Sequence, residues 1–244
     1  MREGGELLKT RYRGVQKYSE KERFQLVSET DVEIERLIID RLRSIHPEDT
    51  VVSEESGFGG DNGNVRWIVD PIDGSANFIA GVPYFAISIA REVDGKIVEG
   101  YVYNPVADEF YYSTEGADAS FLNDDRISVS DTSDIRESLV AFGFSARMEA
   151  IDRYYADWGN VFEICRKGLA LVVPSLSICN VARGRLDGFI DFGCSTEGQA
   201  AASLILANAG GVILDYDLIG YDHRRKGAVA SNANLMSFLE EARI

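Results

Sequence analysis

The chain is poor in cysteine and histidine, and it has fewer basic than acidic residues. Its three cysteines in 244 residues form no CxxC pair, so we expect neither a disulfide framework nor a zinc site, and a reducing cytoplasm fits best. Both histidines, His46 and His223, fall in sequence contexts typical of the surface, which disfavours histidine catalysis. Lys and Arg number 25 against 40 for Asp and Glu, which argues against nucleic acid and anionic lipid as partners.

Long apolar runs are also missing. No stretch approaches the roughly 20 apolar residues that a bilayer-spanning helix needs, and the first residues, "MREGGELLKTRYRG", lack the apolar core of a signal peptide. We therefore expect no membrane association and a cytoplasmic protein. Hydrophobic residues make up 45% of the chain, enough to bury the core of one large domain or of two closely packed halves.

The first half alternates helix and strand patterns before a run of strands. The segment "TDVEIERLIIDRLRSIHP" predicts a helix with a capping box formed by Thr30 and Glu33, which puts Asp31 in its first turn. Short strands follow in "TVVSEESG" and at residues 67–69. From Tyr84 onward, β-rich runs with an Asp-Gly pair at 94–95 predict an antiparallel meander.

The second half is different. Strands are predicted near "SLVAFGF", "LALVV" and "DGFIDFG", with helices between them, and a last amphipathic helix "GQAAASLILANAGG" leads into the strand "VILD". We therefore predict an α+β protein. Residues 1–130 are predicted to form an N-terminal α+β half, and residues 131–244 a C-terminal α/β half.

Two aspartates three positions apart end a predicted strand in "WIVDPIDGSANF". Like charges at Asp70 and Asp73, with the pair Glu54-Glu55 at another strand end, suggest a cation site, because carboxylates repel one another without one. Hard oxygen ligands favour Mg²⁺ over zinc, with Mn²⁺ or Ca²⁺ as alternatives. Pro71 stiffens the turn so that both side chains and the Ile72 carbonyl can face one point.

The residues that follow predict a phosphate site. Gly74 and Ser75 begin an apparent helix, whose free N–H groups and positive dipole end suit a phosphate oxygen. A metal beside such a helix start is typical of a phosphate ester site. Taken alone, a DxxD spacing is more often a turn with an N-cap than a metal site.

Several ordered motifs together resemble the inositol monophosphatase-like family of metal-dependent phosphatases. They are "VSETDVEIE", "VVSEESG", "WIVDPIDGSANFIAGVPYFAISIA", "GYVYNPVADEFYYS", "VARGRLDGFIDF" and "AAASLILANAGGVILD", and they span most of the chain. The resemblance implies a layered α/β/α/β/α sandwich, a homodimer and two or three Mg²⁺ ions. It also implies hydrolysis of a small phosphate ester by a metal-activated water.

The resemblance implies a role for each matching position, and it places most metal ligands in residues 1–130 and substrate contacts and the second signature in residues 131–244. Metal ligation is implied for Glu55, Asp70, the Ile72 carbonyl and Asp73, with Glu54 close by and counted among the catalytic residues. Ser75 and Asp31 match the pair that orients and deprotonates the attacking water. Phosphate or substrate contacts are implied for Gly74, Ser75 and Asp191. Asp191 matches a family acid that binds a polyol hydroxyl, but without the resemblance its position fits a surface acid equally well.

The sequence departs from the family pattern at two places. The Trp-Asp pair that opens the family's second signature falls on Glu197 and Gly198, so one metal ligand is missing; we predict that Glu197 substitutes for it, the alternatives being weak metal binding or lost activity. In "VVPSLSICNVA", Ser177 stands where the family has Asp, which leaves the substrate open. The basic "HRRKG" cluster either meets substrate phosphate or balances the acidic surface, and the second interpretation is preferred.

Three functions remain open. The leading hypothesis is a Mg²⁺-dependent phosphatase of myo-inositol monophosphate, fructose-1,6-bisphosphate or both. A 3'-phosphoadenosine-5'-phosphate phosphatase shares the same metal signature, and a degenerate relative would bind a phosphorylated ligand without turnover. Cysteine phosphatase chemistry is disfavoured because no Ser or Thr follows Arg185 in the spacing from Cys179, and "GFGGDNG" lacks the Lys-Ser or Lys-Thr of a nucleotide P-loop.

Overall fold

The computed structural model describes residues 1–22, 25–58, 63–143 and 148–242. Its helices are α1 (Arg2–Arg11), α2 (Glu29–Ile45), α3 (Ser75–Ala80), α4 (Met148–Ile164), α5 (Pro174–Ala182), α6 (Thr196–Asn208) and α7 (Ala233–Ala242). Its strands up to residue 127 are β1 (Tyr18–Glu22), β2 (Gln25–Ser28), β3 (Thr50–Ser53), β4 (Gly57–Phe58), β5 (Val65–Asp73), β6 (Ala86–Val93), β7 (Lys96–Asn104), β8 (Glu109–Thr114), β9 (Ser120–Leu122) and β10 (Asp125–Ile127). The later strands are β11 (Leu139–Gly143), β12 (Lys167–Ala170), β13 (Gly188–Asp191), β14 (Gly211–Asp215) and β15 (Ala228–Asn232).

Two large sheets form the frame. The first has the order β10-β9-β8-β7-β6-β5-β3-β4, and the second has the order β12-β11-β13-β15-β14. Pairing in the first sheet is antiparallel except between β3 and β5, whereas β11 pairs in parallel with both β12 and β13. The meander prediction is confirmed: β6 and β7 join at Asp94 and Gly95, both at positive φ, as a tight hairpin turn requires.

The helices fill three layers around these sheets. Side chains of α1 and α2 pack with β5 and β6 in one buried cluster. A second cluster places α5 and α6 between the two sheets, and a third packs α4 and α7 against β11, β13 and β15. The predicted α+β fold with a layered α/β/α/β/α sandwich is confirmed. The division at residue 130 stays a proposal.

Helix α6 lies unusually close to the first sheet. A Cβ atom at Gly100 of β7 would overlap the backbone carbonyl of Ala201, so only glycine permits this approach. The contact brings the N-terminal turn of α6 over β5 and β6, where Ser88 Oγ donates to the Glu197 carbonyl over 3.4 Å. The start of α6 is thereby fixed beside the end of β5.

Several element predictions needed correction. The N-cap of α2 is Ser28, and the capping box joins Ser28 to Asp31 rather than Thr30 to Glu33, because the helix already begins at Glu29 and Ser28 has the extended backbone of an N-cap. Strand β12 begins at Lys167, earlier than "LALVV", and α7 follows the helix that the sequence predicts as the last. The "GFGGDNG" loop begins as strand β4, and residues 59–62 lie outside the described residues.

None of the helices in the described ranges combines the length and apolar character that a membrane crossing needs.

Candidate active site

Asp31 and Ser75 meet although they are far apart in the chain. Ser75 Oγ donates to Asp31 Oδ1 over 2.7 Å, and the backbone N–H of Ser28 donates to Asp31 Oδ2 over 2.8 Å. Asp31 is fully buried. Burial raises the pKa of Asp31, and hydrogen bonds from Ser28 and Ser75 partly offset this rise. The pair therefore forms a hydroxyl held by a carboxylate whose basicity is increased.

Gly74 sets the direction of the chain between the strand and α3. Its φ is 95°, and a Cβ there would lie 2.7 Å from a methyl group of Val173, so a side chain is excluded on both grounds. The turn also places Ser75 Oγ 2.9 Å from the Ile72 carbonyl, which competes with Asp31 for the single hydroxyl proton. That carbonyl, a predicted ligand, keeps a second lone pair.

Asp70 and Asp73 are both buried at the end of β5. Strand β5 continues through Asp73, beyond the predicted end, with an irregularity in its pairing with β6 between the two aspartates. Asp73 Oδ2 accepts the Ser175 N–H over 2.7 Å, whereas Asp70 Oδ1 is buried with no hydrogen-bond partner. An unpartnered buried carboxylate oxygen is costly, and it fits a hard cation as its missing partner.

Other carboxylates surround Asp70. Burial raises its pKa well above the ordinary value, and the charges of Glu54, Asp73, Glu197 and Asp31 raise it further. Burial likewise raises the pKa of Asp73 to about 7, against hydrogen bonds from Ser175. Across the residues that the structure describes, no three acidic, histidine or cysteine side chains converge tightly enough to hold a metal ion. The described side chains therefore form an acidic cluster around Asp70 rather than a closed set of metal ligands.

Glu35, which the sequence analysis did not single out, holds the turn that carries Glu54 and Glu55. Its buried Oε2 accepts Ser53 Oγ over 2.7 Å, the Glu55 N–H over 3.0 Å and the Ser56 N–H over 3.3 Å. Glu35 lies one turn after Asp31 on α2. The same helix therefore fixes both the Asp31–Ser75 pair and the Glu54-Glu55 turn. The sequence offered one signal for Glu35: it lies four residues after Asp31 in the predicted helix, which puts both carboxylates on the same face.

We expect Glu35→Gln to loosen this turn. The Gln amide oxygen still accepts, but it lacks the carboxylate charge that strengthens these three hydrogen bonds, so the turn is weakened by about 1–3 kcal/mol. Hydrogen exchange at residues 54–56 should accelerate, and the Mg²⁺ concentration for half-maximal activity should rise. Glu33→Gln is the matched control, since Glu33 pairs with Arg11 on the exposed side of α2. Equal exchange in both variants would refute the assignment.

Glu197 and Gly198 occupy the first turn of α6. The Glu197 carboxylate accepts a hydrogen bond from the Thr196 hydroxyl over 2.8 Å. Its negative charge contributes to the raised pKa of Asp70. A Cβ at Gly198 would lie 3.5 Å from both Asp70 Oδ2 and Asp73 Oδ1. Position 198 therefore faces the two aspartates, but it carries no side chain.

Asp191 ends β13 and is buried rather than exposed, so its interpretation as a surface acid is wrong. Burial raises its pKa to about 6, and backbone N–H groups of Gly193 and Cys194 partly offset this. Its charge contributes to the raised pKa of Asp73. Asp191 therefore lies near the same acidic site.

His223 is also buried, which corrects the prediction of a surface residue. Its Nε2 lies 2.7 Å from Glu92 Oε2. The two residues are distant in sequence, and the basic residues around His223 suggested a solvated turn instead.

Comparisons with known proteins agree with this architecture. The model of the inositol monophosphatase family matches residues 1–243. Nus factor SuhB of Escherichia coli K12 is 34% identical over 200 residues, which cover 81% of this chain and 74% of that protein.

Two solved structures are also similar. The extragenic suppressor protein SuhB of Bartonella henselae has a TM-score of 0.92 at 33% identity, covering 98% of this chain and 93% of that one. The Thermotoga maritima IMPase has a TM-score of 0.90 at 28% identity, covering 99% and 92%. The match along nearly the whole chain, in sequence and in fold, shows that this protein belongs to the inositol monophosphatase family.

Proposed function

We propose that the protein is a Mg²⁺-dependent phosphatase that hydrolyses a sugar or polyol phosphate monoester, either myo-inositol monophosphate or fructose-1,6-bisphosphate or both. One observation carries the proposal: Ser75 Oγ lies 2.7 Å from Asp31 Oδ1, beside a buried aspartate whose Oδ1 has no partner. A hydroxyl-carboxylate pair next to an incomplete oxygen cradle suits attack by water on a phosphate.

The proposed metal ligands are Glu55, Asp70, the Ile72 carbonyl, Asp73 and Glu197. Two or three Mg²⁺ ions are proposed, with Mn²⁺ as the alternative. When bound, such ions lower the pKa of water and neutralise the charge of the phosphate. Support comes from Asp70 and Asp73, whose pKa is raised first by burial and then by neighbouring carboxylates, because a bound dication stabilises the ionised form against both effects.

The chain's own residues would position and deprotonate the nucleophile. Ser75 Oγ orients the attacking water, and Asp31 receives the proton, a role favoured by the raised pKa of its carboxyl group. Glu54 stands close to Asp70 as an additional acceptor. The backbone at Gly74 and Ser75 would contact the phosphate, and Asp191 would accept a hydrogen bond from a substrate hydroxyl.

The proposal is tested by phosphate release from the purified protein with Mg²⁺ titrated. Inositol-1-phosphate, fructose-1,6-bisphosphate and 3'-phosphoadenosine-5'-phosphate are compared side by side. Turnover of either of the first two supports the proposal. Turnover of 3'-phosphoadenosine-5'-phosphate alone would favour the nucleotide phosphatase alternative. Failure to hydrolyse any of the three substrates despite Mg²⁺ binding would contradict the proposal.

Ser75→Ala should lower kcat more than it weakens Mg²⁺ binding. Loss of a positioned hydroxyl in proton transfer reduces the rate by about 10²–10⁴-fold, whereas Ser75 contributes no carboxylate to the metal site. Phosphate release at saturating Mg²⁺ and calorimetric titration of Mg²⁺ separate the two effects. Ser44→Ala, at an exposed serine of α2, serves as the control. A change confined to Mg²⁺ affinity would mean that Ser75 does not orient the water.

A second candidate is favoured by Gly198 and by the relatives named Nus factor SuhB. In this case the chain acts as a Nus factor, or binds a phosphorylated ligand, without turnover. The missing side chain at position 198 supports this possibility because it removes a carboxylate from the site. Absence of phosphate release together with intact folding would favour it.

A homodimer and a cytoplasmic location are also part of the proposal. Both rest on the family resemblance and, for the location, on the low cysteine content. Sedimentation equilibrium of the purified protein tests the oligomeric state, and a monomer across micromolar concentrations would contradict it.

A further inference from the structure

A groove of about 460 Å³ lies at the outer edge of the second sheet, where β12 runs beside α4. We call it the β12 groove. Aromatic side chains, small residues of β12 and two cations line it, among them Tyr155, Phe162, Arg166, Lys167, Gly168 and Ala170. None of these residues has a role in the proposed hydrolysis, so the groove calls for a separate explanation.

The outer edge of β12 carries backbone groups that point away from the sheet. Within the described ranges, β12 pairs only with β11. The N–H groups of Lys167 and Leu171 donate to carbonyls on the β11 side, each over 3.3 Å. Because alternate residues turn their backbone groups to opposite edges of a strand, the N–H and carbonyl groups of Gly168 and Ala170 face outward. Such a row of backbone groups can pair with a further strand.

An aromatic stack stands beside this edge. Phe162 stacks on Phe142 with ring centroids 3.8 Å apart, and Tyr155 stacks on Phe162 at 5.5 Å. A Cβ at Gly168 would lie 3.0 Å from the Phe142 ring and 3.6 Å from the Phe162 ring, so this side of β12 faces the stack. Ala170 lies on the same side, since side chains alternate along a strand. Tyr155 is 63% exposed and offers apolar surface to a segment that pairs with β12.

Positive charge is concentrated where β12 begins. Arg166 and Lys167 are both exposed, and no carboxylate of the described residues lines the groove. Neither cation pairs with an acidic side chain in the part of the chain that the structure describes. A lysine on an edge strand discourages pairing with apolar strands, but two cations without a counter-charge favour an acidic one.

An extended peptide uses these features better than other occupants do. The sequence of β12, KGLA, has no acidic residue, so pairing with β12 of a second copy would leave the cations of both copies without counter-charges. A flat small molecule could stack on Tyr155, but it would not pair with the outward backbone groups of Gly168 and Ala170. An added strand with an acidic end pairs with the edge and with the cations together.

We propose that the β12 groove binds an extended acidic segment of a partner protein, which adds a strand to the second sheet antiparallel to β12. Antiparallel pairing is the more stable arrangement, and it places the C-terminal end of the segment beside Lys167 and Arg166. The side chains opposite Gly168 and Ala170 are apolar and pack toward Tyr155. This inference is independent of the proposed hydrolysis, because it uses none of the proposed site residues.

Fluorescence anisotropy with a labelled peptide tests the charge requirement. The probe is fluorescein-Ser-Val-Thr-Val-Glu-Asp-amide, whose valines lie opposite Ala170 and Gly168. It should bind saturably, and replacement of Glu-Asp by Gln-Asn should weaken binding about fivefold. The double variant Arg166→Gln/Lys167→Gln should lose the same factor for the acidic probe and less than twofold for the neutral one, because the two changes remove one interaction.

The double variant Lys96→Gln/Arg126→Gln is the matched control. Both residues are exposed cations on strands of the first sheet, and their replacement should leave both affinities unchanged. Absence of saturable binding by the acidic probe, or equal affinity for the acidic and the neutral probe, would overturn the inference.

The strand pairing is tested through the backbone. N-methylation of both valines of the probe, whose N–H groups face β12, should abolish binding, whereas N-methylation of the threonine should not. In the protein, Ala170→Pro removes one outward N–H and keeps the bonds to β11, so it should weaken binding about tenfold or more, and Ala170→Gly should not. The acidic probe should also slow hydrogen exchange of the Gly168 and Ala170 amides in the parent protein.

Two results would contradict strand addition. Binding that leaves hydrogen exchange at Gly168 and Ala170 unchanged would mean that the peptide lies elsewhere. Slow exchange of these amides without peptide, in a dimer that Ala170→Pro dissociates, would mean that a second copy covers this edge.

Discussion

Asp73→Asn is expected to reduce phosphate release by at least about 10³-fold while the protein stays folded. The substitution removes one of the two carboxylates proposed to hold Mg²⁺, and the asparagine still accepts the Ser175 N–H that Asp73 Oδ2 accepts now over 2.7 Å. The measurement is phosphate release with Mg²⁺ titrated to saturation. Retention of full turnover would defeat the assignment of the metal site.

The same variant should be more stable than the parent when no metal is present. The pKa of Asp73 in the folded protein is raised to about 7, so its protonated form favours folding. This contribution is fully present below the unfolded pKa, near 4, and is lost as the pH rises through about 7. Each unit of elevation corresponds to about 1.4 kcal/mol, or roughly 3–5 °C in Tm at this chain size.

Thermal unfolding in EDTA at pH 5 and pH 8 measures this effect. Between these values the Tm of the parent should fall by more than that of Asp73→Asn, because the variant has no carboxyl group at this position to ionise. Asp125→Asn, at an exposed position of β10, should behave like the parent. A parallel pH dependence in the parent and Asp73→Asn would show that Asp73 ionises without cost to folding.

Local signals explain most of what the sequence predicted of the fold. The Asp94-Gly95 pair identified a hairpin because few residues adopt positive φ, and the apolar spacing of α2 identified a helix. The layered arrangement came from the family resemblance, not from periodicity. Helix α7 was missed although its capping signal is present: Asn232, directly before it, accepts the Leu235 N–H with its side chain over 3.0 Å.

The site was predicted where its chemistry is contiguous in sequence. Asp70, Asp73 and Ser75 lie within six consecutive residues, at the end of β5 and the start of α3, so a single motif identified them. Glu35 and His223 were missed because their partners are distant: Glu35 bonds the turn 20 residues later, and His223 pairs with Glu92 across 131 residues. Such contacts depend on the packing of α2 and the sheet, which no local pattern records.

The buried carboxylates of the site destabilise the metal-free fold, and the same buried charge favours the binding of a cation. Burial raises the pKa of Asp70, Asp73 and Asp191 together, so ionising all three in the absence of a cation destabilises the fold. A ligand that binds only the folded state recovers this free energy. The free energy lost when the buried carboxylates ionise in the metal-free protein therefore adds to the affinity of the folded protein for a cation.

Gly198→Asp is expected to strengthen Mg²⁺ binding about tenfold or more. A Cβ there would stand 3.5 Å from Asp70 Oδ2 and Asp73 Oδ1, so the new carboxylate adds a third oxygen ligand to the two aspartates. The same Cβ would approach Ser195 Oγ to 2.9 Å, which disturbs the N-cap of α6 and costs about 1 kcal/mol. The metal-free variant should consequently unfold at a lower temperature than the parent, and the variant with Mg²⁺ at a higher one.

Titration calorimetry with Mg²⁺, and Tm with and without it, measure the effect of Gly198→Asp, with Gly198→Asn as a control of equal size and no charge. If Glu197 supplies the missing ligand in the parent, Glu197→Ala should weaken Mg²⁺ binding there and weaken it less in the Gly198→Asp background. This non-additivity is the sign that positions 197 and 198 serve the same cation. Equal Mg²⁺ affinity in the Gly198→Asp and Gly198→Asn variants would mean that position 198 faces no cation site, and additive losses would mean that Glu197 acts elsewhere.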